Sequence, residues 1–495
     1  MKKSILSLSA AFICFGAAEA YAVSFSDILP GELAAKLSES GFDDTSLTLS
    51  GIIDVRDLLS IAAMPNLAEL DLVAVDIAAY TPDKPLDLPE AQFAADYMPQ
   101  TVFFGKKLTK LVLPASLKEI GDYAFADNSF ASVTLPESVV AIGNFAFYDC
   151  DELTSIQLSA SLQEIGEYSF AECGSLAVAD LSNTSFDEVP ACCFLSDAAL
   201  AEVTFSANIK TISDNAFAGC KALKTISLPN IESIGTNAFA STGIEALQMP
   251  ESVEQIGDFA FACNDKLSTV KINSAPEIGE GLFFSNAALA NIETKEALTQ
   301  IPNYTFTGNK SIDYASTEAF ENVRLVGDYA LMDCSAEKLV LGSGLVYLGD
   351  GAMEGFTGLK DIDATALGEN LPELGEDVFY GIEQEKVILT VAEDSKTPWK
   401  NAEQWKEFRI EELTGIDAVA DTNSGIKAWF EGNNLMIQAP SVIEKAELYV
   451  VDGKKVYICN SADSSLQIDT AGFSERIYIL SVKTVDTKAI FKLIR

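Results

Sequence analysis

The sequence predicts a solenoid of about twelve stacked repeats, followed by a small all-β module. Two observations predict the solenoid and a third predicts the module. First, one sentence recurs: LTKLVLPASLKEIGDYAF begins at Leu108, FASVTLPESVVAIGNFAF at Phe130 and LTSIQLSASLQEIGEYSF at Leu153. Second, the frame returns every 22 to 26 residues and closes on a large apolar residue: Phe125, Phe147, Phe170, Phe194, Phe217, Phe239, Phe261, Phe283, Phe306, Leu331, Met353 and Phe379. A unit too small to bury its own apolar face must stack on copies of itself. Third, beyond Gly425 the repeat gives way to short segments that alternate apolar and polar residues.

The N-terminus comes first. Met1-Lys2-Lys3 is basic, Ile5 to Ala18 is apolar, and Ala20-Tyr21-Ala22 fits small-x-small cleavage before Val23. Residues 1–22 therefore read as an export signal peptide. The apolar run is short for a membrane span, and no later run replaces it. Cys14 raises the question of a lipid anchor, but Phe12 and Ile13 before it are bulkier than that modification takes. Residues 23–100 read as an N-terminal cap with a first, atypical repeat. LPGELAAKLSES and VRDLLSIAAM have helical apolar spacing, while SLTLSG and NLAELDL read as strands.

Residues 101–384 carry the repeats. In LTSIQLS, Leu153, Ile156 and Leu158 point inward, and Gln157 between two of them faces out on a strand. A polar break follows, filled in other copies by Pro114, Pro136, Pro229 and Pro250, which end the strand because proline cannot donate to the ladder. Leu162 and Ile165 turn back inward, and Gly166 reads as the residue that permits a sharp corner. Tyr168-Ser169-Phe170 is expected to return the aromatic to the core on a short helical or 3₁₀ turn. Stacking at about 4.8 Å per strand would give a parallel sheet roughly 55 Å long on one face. Its outward stripe is Val112, Thr134, Gln157, Asp180, Thr204, Ser227, Gln248, Lys271, Glu293, Asp313, Val340 and Asp363. From Thr134 to Glu293 these are the candidate binding residues. The stripe is polar and lacks the aromatic and Arg anchors of a tight protein interface, so it reads either as a weak, wet, multivalent binding face or as ordinary solvated sheet.

Residues 385–413 read as the C-terminal cap, where WKNAEQWKEF has the aromatic spacing of a short helix covering an open apolar end. Residues 414–425 are small and polar and read as a linker. Residues 426–495 hold the strands IKAWFEG, NLMIQAP, KAELYVVDGKKVYI, SLQIDTA, RIYILSVK and AIFKLIR, with Asp452-Gly453 marking a hairpin. They form a β-sandwich of Ig-like size.

Composition narrows the chemistry. The 495 residues carry a net charge of −40 and no histidine. Nucleic acid and anionic membrane surfaces are disfavoured as partners by repulsion. Histidine-based triads and histidine metal sites are excluded, and neither a phosphate-binding glycine loop nor EF-hand spacing is present. No cofactor, metal or catalytic residue is expected. Asp361 and Asp363 share one side of a strand and read as a solvated pair rather than a glycosidase pair. Of nine cysteines, Cys150, Cys173, Cys220 and Cys334 each fall three residues after a closing apolar residue. Either stacking brings Cys150 against Cys173 in a disulfide, or a small apolar residue is wanted at one tight corner of every coil.

The frame LxxIxLPxSLxxIGxxAFxxC resembles the leucine-rich repeats of the BspA type, found in bacterial surface proteins. The resemblance covers roughly residues 101–385, with Pro190, Ser213 and Pro302 in place of the corner glycine. It implies a leucine-rich-repeat solenoid at the cell surface or secreted, adhering to protein or other extracellular macromolecules. A spacer without a dedicated ligand is the alternative. The C-terminal module resembles the sorting domain of type IX secretion substrates at Tyr449 to Val456 (YVVDGKKV), Ile477 to Val482 and Lys492 to Arg495, although Phe473-Ser474-Glu475-Arg476 stand where Pro-x-Gly is usual. An Ig-like accessory domain is the other reading of that module.

Overall fold

The computed structural model describes residues 22–40, 44–312, 314, 320, 322–392, 395–412, 426–431, 434–450, 455–459, 461, 463–470, 477–485 and 488–494. Residues 1–21 of the segment expected to be an export signal, residues 414–425 of the expected linker, Asp313 of the outward stripe and the Asp452-Gly453 pair expected to mark a hairpin lie outside these. The chain forms two compact units. One runs through residue 337 and takes in 344–359 and 372–382; the other comprises 338–343, 360–371 and 383–495.

The first unit opens with strand β1 (Ala22–Ile28), helix α1 (Leu33–Ser40), β2 (Ser46–Ile53), α2 (Val55–Ala62) and β3 (Glu69–Ile77). Both helices fall where apolar spacing placed them, and β1 adds a strand the spacing did not indicate. The three strands pair in parallel, and β3 hands the sheet on to Lys110–Val112. Helix α2 is held at its start by a capping box. Asp54 accepts from the Arg56 N–H, and Asp57 accepts from the Asp54 N–H. Asp57, fully buried, also accepts the Gly31 and Leu33 N–H groups at 2.6 and 3.0 Å, tying the two helix starts together.

The repeats then stack as flattened coils with two strand-bearing sides. On one side lie Ser155–Gln157, Val178–Leu181 and Glu202–Phe205, and then Ala246–Met249, Thr269–Ile272 and Asn291–Thr294, all parallel. The predicted single sheet is thus built in pieces, because the segments around Thr134 and Ser227 do not pair as strands. The second side was not foreseen as a sheet. The two residues before each corner glycine form short parallel strands, as in Glu119–Ile120, Ala141–Ile142 and Glu164–Ile165.

The closing aromatics form one continuous column. Phe103, missed in the sequence because its coil is irregular, starts it. Phe103, Phe125, Phe147, Phe170, Phe194, Phe217, Phe239 and Phe261 stack with centroids 5.3 to 5.8 Å apart. All are fully buried. Ring pairs of this kind contribute about 0.5–1.5 kcal/mol each beyond their area burial.

The turn that carries each closing residue is not helical, which corrects the 3₁₀ expectation. Tyr123, Phe145, Tyr168, Cys192, Asn215, Asn237, Phe259, Tyr304 and Tyr329 have φ between 54° and 58°, and a second left-handed residue follows four positions later. This conformation costs an L-residue about 1–2 kcal/mol. It aims alternate N–H groups at the next coil: Tyr123 donates to Asn144, Phe125 to Ala146 and Asp127 to Tyr148, at 2.8 to 3.0 Å. The corner glycines have a different role from the one expected, since their φ is not positive. A Cβ on Gly257 would sit 2.6 Å from the Thr236 nitrogen of the preceding coil. Glycine is needed there for close approach of two backbones.

In the second unit, Lys338–Val340, Asp361–Asp363, Ile388–Val391 and Arg409–Glu412 pair in parallel. The aromatic segment folds as a helix (Lys396–Asn401) and a 3₁₀ turn (Trp405–Glu407). Trp399 and Trp405 are buried edge-to-face at 5.0 Å, and the Trp399 indole donates to the Gly368 carbonyl at 3.0 Å. The C-terminal module has two antiparallel sheets, ordered 427–431/434–438/465–469 and 455–459/443–450/477–484/488–494. They share one core that includes Leu435, Ile437, Leu448, Ile468, Tyr478 and Leu480.

Candidate binding surface

The outward stripe is brought together in two groups of three. Gln157, Asp180 and Thr204 are register partners across one sheet, and Gln248, Lys271 and Glu293 across another. All are exposed except Asp180, whose carboxylate turns back to accept the Ser182 N–H at 2.9 Å. Lys271 and Glu293 pair at 3.7 Å, both well exposed, which is worth little in water. Thr134 and Ser227 are exposed but belong to neither sheet. Val112 pairs with Asp71 near the N-terminal end, and Val340 and Asp363 pair with their neighbours in the second unit. Asp363 is committed locally, accepting from both the N–H and the hydroxyl of Thr365.

At the edge of the coils the carboxylates have structural work. Asp122, Asp214, Asp258, Asp328 and Asp350 follow a corner residue, and each accepts the N–H of its counterpart one coil later at 2.7 to 2.9 Å. Asn144 and Asn303 do the same in their coils. Part of the chain's acidity is therefore a ladder that satisfies backbone donors between coils.

A second ladder runs inside and accounts for the cysteines. Each thiol donates to the carbonyl of the closing residue one coil earlier: Cys150 to Phe125, Cys173 to Phe147, Cys220 to Phe194 and Cys334 to Phe306, at 3.0 to 3.3 Å. Asn128, Asn264 and Asn309 occupy the same position and donate to two such carbonyls each. The position thus takes a compact buried donor, rather than an apolar filler or half of a disulfide. None of the eight described cysteines is in a disulfide. Burial pushes the Cys150 and Cys334 thiols up to about 12 and raises Cys173 and Cys220 as well, so they stay protonated donors.

Asp197 is the exception in this ladder. It is fully buried, and its Oδ1 accepts the Cys173 N–H at 2.8 Å while Oδ2 has no partner. Burial lifts its carboxyl well above the usual range, against the opposing pull of the Cys173 N–H.

The sequence reading also missed an outer aromatic column. Tyr123, Phe145 and Tyr168 stack at 4.6 and 4.5 Å with ring planes within 7° of parallel, and Phe104 stands edge-on to Tyr123. Their recurrence two residues before each closing Phe was the available signal. The stacked faces occupy one another, which offsets the cost of the left-handed backbone beneath them. Among the described residues no group of three or more acidic or cysteine side chains is arranged to hold a metal, and no helix is long and apolar enough to cross a membrane.

Comparison with known proteins agrees with this geometry. The chain matches the model of the BspA type leucine rich repeat region over residues 96–195, 187–313, 276–396 and 324–428. In fold it is similar to a leucine-rich repeat protein from Bacteroides ovatus, with 20% identity, 75% of this chain and 88% of that chain covered, and a TM-score of 0.55. It is also similar to a leucine rich cell surface protein from Faecalibacterium prausnitzii, with 21% identity, coverage of 58% and 94%, and a TM-score of 0.34. No curated protein matches it in sequence.

Proposed function

Because the chain belongs to the family of BspA-type leucine-rich repeat regions, we propose that it is an exported surface or secreted protein that binds macromolecular partners through its solenoid. The observation that carries this reading is the division of labour within each coil. Closing aromatics, thiols, asparagines and corner aspartates are consumed in holding coil to coil. The side chains left over, Gln157, Thr204, Gln248, Lys271 and Glu293, are exposed and held in register on strands. Repeat arrays use such extended surfaces for binding. The leader at residues 1–22 and the family's occurrence in bacterial surface proteins support export. The antiparallel C-terminal module, with its YVVDGKKV segment, supports a type IX sorting role.

The reading is of a binding protein and not an enzyme. It is tested by incubating the full mature chain with surface fractions and cells and recovering bound partners. Specific capture, reduced by substituting Gln248, Lys271 and Glu293 together, is expected. No capture at micromolar protein would overturn it. Intact mass of surface-fraction protein tests the packaging: loss of the first 22 and of the last 70 or so residues is expected, and an intact C-terminus would remove the sorting role. The polar, anchor-poor stripe favours a second reading as a spacer, which predicts that the triple substitution changes nothing at the cell surface.

A further inference from the structure

One coil loses an inward plug. Four residues before the corner position stand Leu162 before Gly166, Ile231 before Gly235 and Val253 before Gly257, all buried, but Ala275 before Gly279. The coil of Gly279 is also one residue shorter than most between its first strand and its corner, as is the coil of Gly235, so the small side chain rather than the length removes the plug. Leu117, Val139, Leu162 and Val253 fill this position in earlier coils and are buried to within 1% of full burial. In the shortened coil Ala275 is exposed and Pro276 half-buried, and Leu298 one coil later is only half-buried. Two adjoining cavities result, of about 240 and 380 Å³, both lined by Ser274, Ala275 and Glu296.

The lining has a definite chemistry. Val253, Ile272, Ile278 and Leu298 supply apolar walls, and Glu251, Glu254, Glu277 and Glu296 supply carboxylates. The one cation among the lining residues, Lys295, reaches past the shortened coil to Glu251, 44 residues earlier, at 3.0 Å. The Ser274 hydroxyl is buried without a hydrogen-bond partner. The cleft opens at the ends of the strands that carry Gln248, Lys271 and Glu293.

We infer that this cleft seats a lysine or arginine side chain from a basic polypeptide segment. Such side chains lay an aliphatic stem along apolar surface and keep a charged head at its edge. Here the walls receive the stem, and Glu254, Glu277 and Glu296 receive the head. The Ser274 hydroxyl gains a partner. The strongly negative surface concentrates basic segments near the cleft, and the Lys295–Glu251 pair, both members exposed, opens to admit one. This inference rests on the reading that the solenoid surface binds macromolecules.

The test uses the full mature chain, a tetra-lysine peptide and its fully acetylated form, by calorimetry near physiological salt, where surface attraction at a distance is screened. One saturable site for tetra-lysine is expected, and none for the acetylated peptide. Glu254→Gln with Glu296→Gln weakens binding at least tenfold. Ala275→Leu, which refills the cleft without touching charge, does the same. Glu119→Gln with Glu164→Gln, exposed carboxylates elsewhere, changes it less than twofold. Equal loss in that control pair would mean diffuse attraction and overturn the site, as would equal binding of the acetylated peptide. A folded Ala275→Leu variant with undiminished affinity would also overturn it; should that variant not fold, the Glu254/Glu296 pair decides. Neutral oligosaccharide binding that Ala275→Leu abolishes, without lysine binding, would replace the assigned ligand. If partner capture from surface fractions persists while the peptide ignores the cleft, only the cleft assignment falls.

Discussion

Replacing Asp197 by Asn should stabilise this protein, and the gain should grow with pH. Asp197 holds the position that Asn128, Asn264 and Asn309 hold elsewhere, where an amide accepts a backbone N–H or donates to two backbone carbonyls. The carboxyl makes the accepting bond to Cys173 N, but its second oxygen is buried with nothing to accept from. A protonated carboxyl can donate from that oxygen; an ionised one leaves it stranded. Burial raises the folded-state pKa accordingly. The sign follows. The native state keeps a proton that the unfolded chain releases near pH 3.9, so the contribution of Asp197 is fully present below that value. It is lost as pH rises toward the folded value, at about 1.4 kcal/mol per pH unit. Asn has no such loss and supplies its donor at every pH. Relief of one stranded buried polar atom is worth about 1–3 kcal/mol. Melts of wild type and Asp197→Asn should be compared at pH 5.5 and 8, both above the isoelectric point near 4.2 where solubility fails. The variant is expected to melt a few degrees higher at pH 8, with a smaller difference at pH 5.5. Equal or lower stability of the variant at pH 8, or a difference independent of pH, would refute the ladder argument.

Three further outcomes follow from the same geometry. Phe217→Ala, in the middle of the buried column with neighbours at 5.4 Å on either side, should cost about 3–5 kcal/mol by denaturant titration; a loss below about 1 kcal/mol would mean the column is not close-packed. Gly257→Ala should destabilise strongly, since its Cβ meets backbone at 2.6 Å, whereas Gly174→Ala, whose nearest neighbour is a side-chain oxygen at 3.1 Å, should be tolerated better. In the native protein a thiol reagent at neutral pH should label exposed Cys263 first and half-buried Cys459 more slowly, while Cys150, Cys173, Cys220 and Cys334 react only on unfolding; rapid labelling of Cys150 would contradict its buried hydrogen bond to Phe125.

The repeat frame made much of the fold legible. Inward Leu and Ile positions, the closing aromatics and the outward Gln157 all follow from period and polarity, because burial in a stacked array depends mainly on those. The cysteine position was visible but not its role, since a thiol that donates to a carbonyl and one that fills a hole look alike in a sequence. The corner glycines were visible too, and assigned to the wrong cause. Which backbone approaches Gly257 depends on Thr236, one coil away, and no single repeat contains that contact.

The candidate surface divided along the same line. Sequence alternation selected the stripe from Thr134 to Glu293, but only strand register grouped Gln157 with Asp180 and Thr204, and left Thr134 and Ser227 outside both sheets. The cleft beside Ser274 came from Ala275 in the place that Leu162, Ile231 and Val253 fill in other coils, a change that reads in sequence as ordinary drift. By itself the sequence determined the solenoid, its acidity, its closing core and its exclusion of histidine chemistry, because each is a property of one coil repeated. The tertiary structure decided the ladders, the left-handed turns, the stranded oxygen of Asp197 and the cleft. These are properties of the contact between one coil and the next, where hydrogen bonds and voids depend on distances that no single coil contains.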